Sequence, residues 1–126
     1  MNVEEMWAAD LASKALGMQL EECGNGRARV SMLVRDDMVN GHGLCHGGLV
    51  ASLADSAFAV ACNSRGVSTV AAGFDITLLA SAYRGDLLVA TARELVLQGR
   101  SGIYDVTVHR GDEVIAEFRG RSRALS

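Results

Sequence analysis

The segment 49–63 constrains the fold more than any other part of this sequence. It is rich in Ala, Leu and Val, and the whole chain contains no proline. Its length and composition predict a mostly buried helix that ends near Gly66. The sequence that follows changes to an apolar alternation of period two, which is typical of strands. Because no other segment has enough apolar surface to cover the resulting sheet, this one helix must lie across it.

Six segments predict strands, two before the apolar helix and four after it. They cover residues 18–23, 27–34, 69–79, 87–98, 103–110 and 114–125. Short turns rich in glycine join them, which favours an antiparallel sheet. Residues 3–16 have the apolar spacing of one amphipathic helix, with Asn2 as a possible N-cap and Gly17 as its stop. The predicted fold class is therefore α+β, an antiparallel sheet wrapped around one long central helix, in a single domain over residues 1–126.

Charge and composition exclude several classes of function. The net charge is -3 with acids and bases mixed along the chain, whereas non-specific nucleic-acid binding requires a concentrated basic surface. No segment is apolar enough for a membrane span, and the N-terminus has acids where an export signal requires a basic start. The three cysteines include no CxxC pair, so we expect reduced thiols and, by elimination, a cytoplasmic protein.

The central helix contains one charged residue, Asp55, which is the only acid or base between His46 and Arg65. Burying an unpaired carboxylate on so apolar a helix costs on the order of several kcal/mol. Such a residue is paired for structure, exposed at the surface, or used in chemistry. The residue type alone leaves these alternatives open.

Gly47 and Gly48 stand where this helix begins. A helix N-terminus has unpaired backbone N–H groups and a partial positive charge, and glycines let a ligand oxygen approach them closely. An oxyanion hole requires this arrangement, although a tight turn would also explain the glycines. Asp55 follows Gly47 by eight residues, about 12 Å along a helix, so one chain cannot bring both groups to one substrate. If the two groups cooperate, the site must combine two chains.

The run 40–48, NGHGLCHGG, followed by Asp55, resembles the active-site signature of PaaI-type hotdog thioesterases of phenylacetic acid degradation. Similar sequence extends over 40–66 and recurs at 102–105 and 118–122, so the resemblance covers nearly the whole chain. It implies a hotdog fold and self-association as a homodimer or homotetramer with composite sites. It also implies hydrolysis of an aryl-acyl-CoA, such as phenylacetyl-CoA or a hydroxylated phenylacetyl-CoA, with coenzyme A as part of the substrate and no separate cofactor.

The same resemblance implies roles for individual residues. Asp55 is the general base or the nucleophile, and the Gly47 amide, beside Gly48, polarises the thioester carbonyl from the facing subunit. Asn40 helps to place the thioester or the water, and His46 supports the loop. Some relatives hold the attacking water with a serine or threonine after the helix. Residues 70–73 here, VAAG, have no hydroxyl, so that role is not assigned.

Arginines are candidates for binding the phosphates of coenzyme A, although charged turn and edge residues usually serve only solubility. A metal site is not predicted, because the closely spaced His42, Cys45 and His46 have no second ligand group at a zinc-binding distance in sequence. The arginines that we consider for the substrate are Arg84, Arg100 and Arg121.

Two rival functions remain compatible with the residues. A hotdog hydratase or dehydratase would act on the carbons of an acyl thioester and would use an acid–base pair such as His46 with a facing Asp55. A non-catalytic acyl-CoA-binding module would retain the scaffold without the chemistry. Thiol release measured beside enoyl-CoA hydration separates these functions from hydrolysis.

Overall fold

The structure is a computed structural model that describes residues 2–126. Helices α1, α2 and α3 span Val3–Ala8, Leu11–Ala15 and Gly47–Asn63. Strands β1 to β6 span Gln19–Gly24, Arg27–Leu33, Thr69–Leu78, Leu87–Gln98, Ser101–Arg110 and Glu113–Ala124, and a short 3-10 helix, Asp36–Met38, lies between β2 and α3. Within residues 2–126, no helix is long and apolar enough to cross a bilayer.

The six strands form one antiparallel sheet in the order β1-β2-β4-β5-β6-β3. Helix α3 lies across the inner face of this sheet and contacts all of its strands. The alternating residues of the strands that face α3, such as Val30, Ala90 and Val106, are completely buried. The predicted hotdog architecture is confirmed, and the boundaries of α3 and of the six strands lie close to the predicted ones.

A contact between Phe58 and Gly120 sets how closely α3 approaches the sheet. A Cβ added at Gly120 would stand 2.8 Å from three atoms of the Phe58 ring. The same ring lies 5.6 Å from the ring of Tyr104 and 5.8 Å from that of Phe118, measured between centroids. Gly120 therefore makes room in β6 for the aromatic cluster that holds the helix in place.

The prediction of one helix over residues 3–16 was wrong, because the segment forms two short helices. Asp10 stands between them with an extended backbone, and its Oδ1 accepts a hydrogen bond from the Ser13 N–H at 3.0 Å. Aspartate is favoured at such an N-cap, where its carboxylate satisfies an amide that has no intrahelical partner. Asn2 caps α1 as predicted, through a hydrogen bond from the Glu5 N–H.

Candidate active site

Asn40 closes the loop that leads into α3. Its Oδ1 accepts hydrogen bonds from the backbone N–H groups of His42 and Leu44, at 2.9 and 3.1 Å. Its own backbone N–H donates to the Leu44 carbonyl at 2.7 Å. The Asn40 Nδ2 group makes no hydrogen bond within residues 2–126, so this side chain shapes the loop with its oxygen and keeps an N–H donor free.

The start of α3 leaves two backbone donors free. The His46 carbonyl accepts from the N–H groups of Leu49 and Val50, at 2.9 and 3.2 Å, and no side chain caps the helix. The N–H groups of Gly47 and Gly48 have no hydrogen-bond partner in the described part of the chain. Because the partial positive charge of a long helix is concentrated at this end, the two amides can donate hydrogen bonds to a developing oxyanion.

His46 contributes to the loop through its backbone. Its N–H donates to the Met38 carbonyl at 3.0 Å, which ties the end of the loop to the 3-10 helix. The side chain is exposed and makes no hydrogen bond to other described residues. His46 directly precedes α3 as its N-cap residue, nine residues before Asp55, and this separation keeps the two side chains apart within one chain.

Asn40 and Gly47 line the same cleft, whose volume is about 320 Å³. Its walls include the apolar side chains of Val50, Leu78 and Leu79. A Cβ added at Gly47 would stand 2.5 Å from Leu78 Cδ1, so any other residue at this position would have to displace the end of the Leu78 side chain. Sequence reasoning missed Leu78, because its contact with Gly47 joins residues that are far apart in the chain.

Asp55 lines a different cleft of about 210 Å³, between α3 and the N-terminal helices. Its carboxylate is half-buried and has no hydrogen bond or ion pair with any described residue. Burial, and secondly the charge of Asp10, raise the pKa of the Asp55 carboxyl above its ordinary value. Within one chain, Asp55 therefore has no structural partner. Of the three alternatives that its residue type left open, structural pairing does not apply.

Asp10 belongs to the same cleft, which the sequence did not indicate. Its Oδ2 accepts a hydrogen bond from the Ser13 hydroxyl at 2.7 Å, and Ser13 Oγ lies 2.7 Å from Ser56 Oγ. This series of hydrogen bonds attaches α2 to α3 at Ser56, the residue next to Asp55. The only available signal was the N-cap preference of Asp10, which the apolar periodicity of residues 3–16 obscured.

The two clefts are separate in one chain. No residue lines both of them, and Asp55 follows Gly47 by eight positions on the same helix. That spacing corresponds to about 12 Å, which is too long for one reacting carbonyl to touch both groups. The separation that the sequence predicted is therefore present, whereas the combination of the two halves from two chains stays a prediction.

The buried thiols are poor candidates for a nucleophile. Burial raises the pKa of Cys45, and it raises the pKa of Cys62 to about 12, so both thiols stay protonated near neutral pH. Within residues 2–126 no group of three or more His, Cys, Asp or Glu side chains is arranged to hold a metal ion.

The three arginines considered for coenzyme A do not converge in one chain. Arg84 and Arg100 stand beyond the opposite ends of β4, and Arg121 lies in β6. Exposed ion pairs link Arg84 to Asp36 and Arg121 to Asp75, each at 2.9 Å. Because pairs of this kind contribute little energy, both guanidinium groups remain available to a phosphate.

Comparison with known proteins gives consistent matches in sequence and in fold. The sequence profile of the thioesterase superfamily matches residues 42–117. The acyl-coenzyme A thioesterase PaaI of Escherichia coli K12 is 41% identical over 125 residues, covering 98% of this chain and 89% of that protein. Human acyl-coenzyme A thioesterase 13 is 31% identical over 123 residues, covering 93% and 87%.

Comparison with solved structures agrees with these sequence matches. The solved structure of the E. coli PaaI protein from the phenylacetic acid degradation operon superposes with a TM-score of 0.96 at 40% identity. The match covers 99% of this chain and 91% of that chain. The likeness thus extends over nearly the full length of the chain, including both clefts.

Proposed function

This chain belongs to the thioesterase superfamily, and from that membership we propose that it hydrolyses acyl-coenzyme A thioesters to a free acid and coenzyme A. Two curated relatives that match nearly the whole chain are named acyl-coenzyme A thioesterases. The observation that carries the proposal is the unpartnered, half-buried carboxylate of Asp55 on a helix that begins with two free amides. A scaffold keeps such groups unsatisfied where a ligand completes them.

The thioester carbonyl oxygen accepts hydrogen bonds from the Gly47 N–H, with the Asn40 Nδ2 group beside it, and these donors stabilise the negative charge of the tetrahedral intermediate. Asp55 either takes a proton from water, whose oxygen attacks the carbonyl carbon, or attacks that carbon itself. On the first route the C–S bond then breaks to give the free acid, and the coenzyme A thiolate takes up the proton that Asp55 removed from water. On the second route the C–S bond breaks to leave an anhydride between the acyl group and Asp55, which water hydrolyses to the free acid and the Asp55 carboxylate, and the proton released from that water goes to the thiolate. Both routes place the same carboxylate at the same carbon.

Two subunits build each site in this proposal. The Gly47 amide of one subunit and Asp55 of the other face one thioester, because a single chain holds them in separate clefts. Strand β3 supports the assembly, since it is an edge of the sheet and its apolar side chains Val70, Phe74 and Leu78 are between 43% and 51% exposed. Edge strands of this kind are ready to pair with another chain. A homodimer is the minimal active unit, and a homotetramer would contain two such pairs.

The proposed acyl group is aromatic, such as phenylacetyl or a hydroxylated phenylacetyl group. Support comes from the E. coli relative, which belongs to a phenylacetic acid degradation operon and is similar to this chain over almost its full length. Coenzyme A enters as part of the substrate, and the exposed Arg84, Arg100 and Arg121 are the candidates for its phosphates. No separate cofactor takes part in this mechanism.

Release of free thiol from a panel of acyl-CoAs tests the proposal. The panel contains acetyl-, hexanoyl-, phenylacetyl- and 4-hydroxyphenylacetyl-CoA, and an enoyl-CoA hydration assay is run on the same preparation. We expect thiol release with the highest kcat/KM on the aryl substrates and no hydration. Hydration without thiol release would replace the proposal with the hydratase function, and tight acyl-CoA binding without any turnover would replace it with the binding module.

A further inference from the structure

Hydrolysis of a thioester needs a group besides Asp55 that orients the attacking water. A water molecule that attacks a carbonyl carbon donates one hydrogen bond to the base and directs a lone pair at the carbon. Its second hydrogen then needs an acceptor, because without one the molecule can rotate away from the reactive orientation. Such an acceptor must lie beside Asp55 and must have a lone pair that is not already used.

Ser52 is the hydrogen-bonding neighbour of Asp55 on α3. The residues three and four positions away from Asp55 share its face of the helix. They are Ala51, Ser52, Phe58 and Ala59, of which Ser52 alone has a polar side chain. Ser52 and Asp55 also line the same cleft. Because β-carbons at this spacing are about 5–6 Å apart, one water molecule can bridge the two side chains.

The hydrogen bond that Ser52 makes leaves its oxygen available as an acceptor. The Ser52 hydroxyl donates to the Gly48 carbonyl at 2.9 Å, which occupies its only proton. Its two lone pairs accept no hydrogen bond from any group within residues 2–126. A bond from serine to the carbonyl four residues earlier slightly destabilises a helix. The stability of α3 therefore does not account for this hydroxyl, whereas the need for an acceptor in the cleft does.

The other hydroxyls of the cleft are engaged with α2. Ser13 is only 3% exposed, and its Oγ donates to Asp10 Oδ2 at 2.7 Å. Because the single hydroxyl proton of Ser13 is used in this way, Ser56 is the donor in the 2.7 Å hydrogen bond between their Oγ atoms. Ser56 also follows Asp55 directly, and adjacent residues of a helix do not face each other. Ser52 is therefore the hydroxyl that is best placed to share a water with Asp55.

We propose that Ser52 holds the attacking water together with Asp55. The water donates one hydrogen bond to the Asp55 carboxylate and the other to Ser52 Oγ, and its lone pair faces the thioester carbon. On the general-base route, the water oxygen bonds to that carbon as Asp55 takes the first proton, which then passes to the coenzyme A thiolate when the C–S bond breaks. On the nucleophilic route, Ser52 holds the water that hydrolyses the anhydride. The proposal rests on the thioesterase function proposed above.

Methanol tests this role because it has only one O–H hydrogen. It can donate to Asp55 but cannot donate to Ser52 as well, so the second hydrogen bond favours water as the nucleophile. The ratio of methyl ester to free acid formed from phenylacetyl-CoA is measured in buffer that contains methanol, beside kcat and KM in buffer alone. We expect Ser52→Ala to lower kcat by about 10-fold with little change in KM, as for the loss of one hydrogen bond, and to raise the ratio of ester to acid.

A matched pair of variants separates the hydrogen bond from the shape of the side chain. Ser52→Thr keeps a hydroxyl and should keep the low ratio of ester to acid, whereas Ser52→Val has nearly the same shape as threonine without the hydroxyl and should behave as Ser52→Ala does. The control is Ser64→Ala at the far end of α3, where the hydroxyl donates to the Ala61 carbonyl at 2.7 Å. This control should leave both kcat and the product ratio unchanged.

Two results would overturn the assignment of Ser52 and leave the thioesterase function standing. One is a kcat of Ser52→Ala close to that of the wild type. The other is a ratio of ester to acid that is the same in the wild type, Ser52→Ala and Ser52→Val. A wild-type protein that releases thiol from no acyl-CoA would overturn the assignment and the thioesterase function together.

Discussion

The side chain of Leu78 lies over Gly47, and a Cβ on Gly47 would stand only 2.5 Å from Leu78 Cδ1. A methyl group at this position therefore enters the cleft that leads to the Gly47 amide. We predict that Gly47→Ala lowers kcat on the order of 10²-fold, because the methyl group blocks the approach to a backbone donor that it leaves in place, and loss of one oxyanion donor usually costs this much. Steady-state thiol release measures this, with circular dichroism to establish that the fold is retained.

Two companion variants separate blocked access from displaced packing. A Cβ on Gly48 meets nothing within 4 Å in one chain, so Gly48→Ala should cost less activity than Gly47→Ala. Adding Leu78→Ala to Gly47→Ala relieves the contact but keeps the methyl group in the cleft, so the loss should persist. Full recovery in the double variant would mean that the displaced Leu78, and not the blocked amide, caused the loss.

Asp55→Asn should keep the fold and lower kcat by roughly 10²-fold or more, because an amide neither accepts a proton well nor attacks a carbonyl. Removing a half-buried charge that has no partner should not lower the melting temperature. Asp112→Asn, in the exposed turn between β5 and β6, is the matched control for the loss of one carboxylate. Near-wild-type turnover by Asp55→Asn would remove this residue from the mechanism.

The acid limb of the pH dependence of kcat/KM should lie at a higher pH than an aspartate with an ordinary pKa would give. Asp55 must be ionised to act, and burial together with the charge of Asp10 raises the pKa of its carboxyl, so activity falls at a higher pH than usual as acid is added. Asp10→Asn removes the like charge and keeps an N-cap residue, so the limb should move to lower pH. A limb that stays in place or moves to higher pH would contradict the contribution of Asp10.

Gly120→Ala should destabilise the protein by about 1–3 kcal/mol, because the added methyl group collides with the Phe58 ring in a packed core. Chemical unfolding measures the change, and Gly41→Ala is the control, since a Cβ at that position meets nothing within 4 Å. Combining Gly120→Ala with Phe58→Leu should cost less than the sum of the two single changes. Strict additivity would show that the two residues are not coupled.

Most of the fold could be predicted because the local sequence patterns agree with the helices and strands of the folded chain. The apolar segment 49–63 and the period-two segments lead to one helix and six antiparallel strands, as observed. The order of the strands could not be obtained in this way, since β3 pairs with β6, the last strand of the chain. The break at Asp10 was missed because a capping hydrogen bond to the Ser13 amide outweighs the helical periodicity around it.

The residues of the candidate site also divide into those that local sequence signals reveal and those that only tertiary contacts reveal. Asp55 and Gly47 could be identified because one is the only charge on an apolar helix and the other begins that helix. Leu78 and Asp10 could not be identified, because what distinguishes them is tertiary: a contact over a glycine and a charge near another charge. Periodicity and motif spacing contain no information about such contacts.

The central claim is that Gly47 of one subunit and Asp55 of another act on one thioester, and complementation between two inactive chains tests it most directly. Asp55→Asn chains are mixed with Gly47→Ala chains, subunit exchange is verified by mass spectrometry, and thiol release is measured. In a mixed dimer one of the two sites combines an intact carboxylate with an intact amide, so equal mixing should restore about one quarter of wild-type activity. Activity that stays at the level of the separate variants after verified exchange would contradict the shared site.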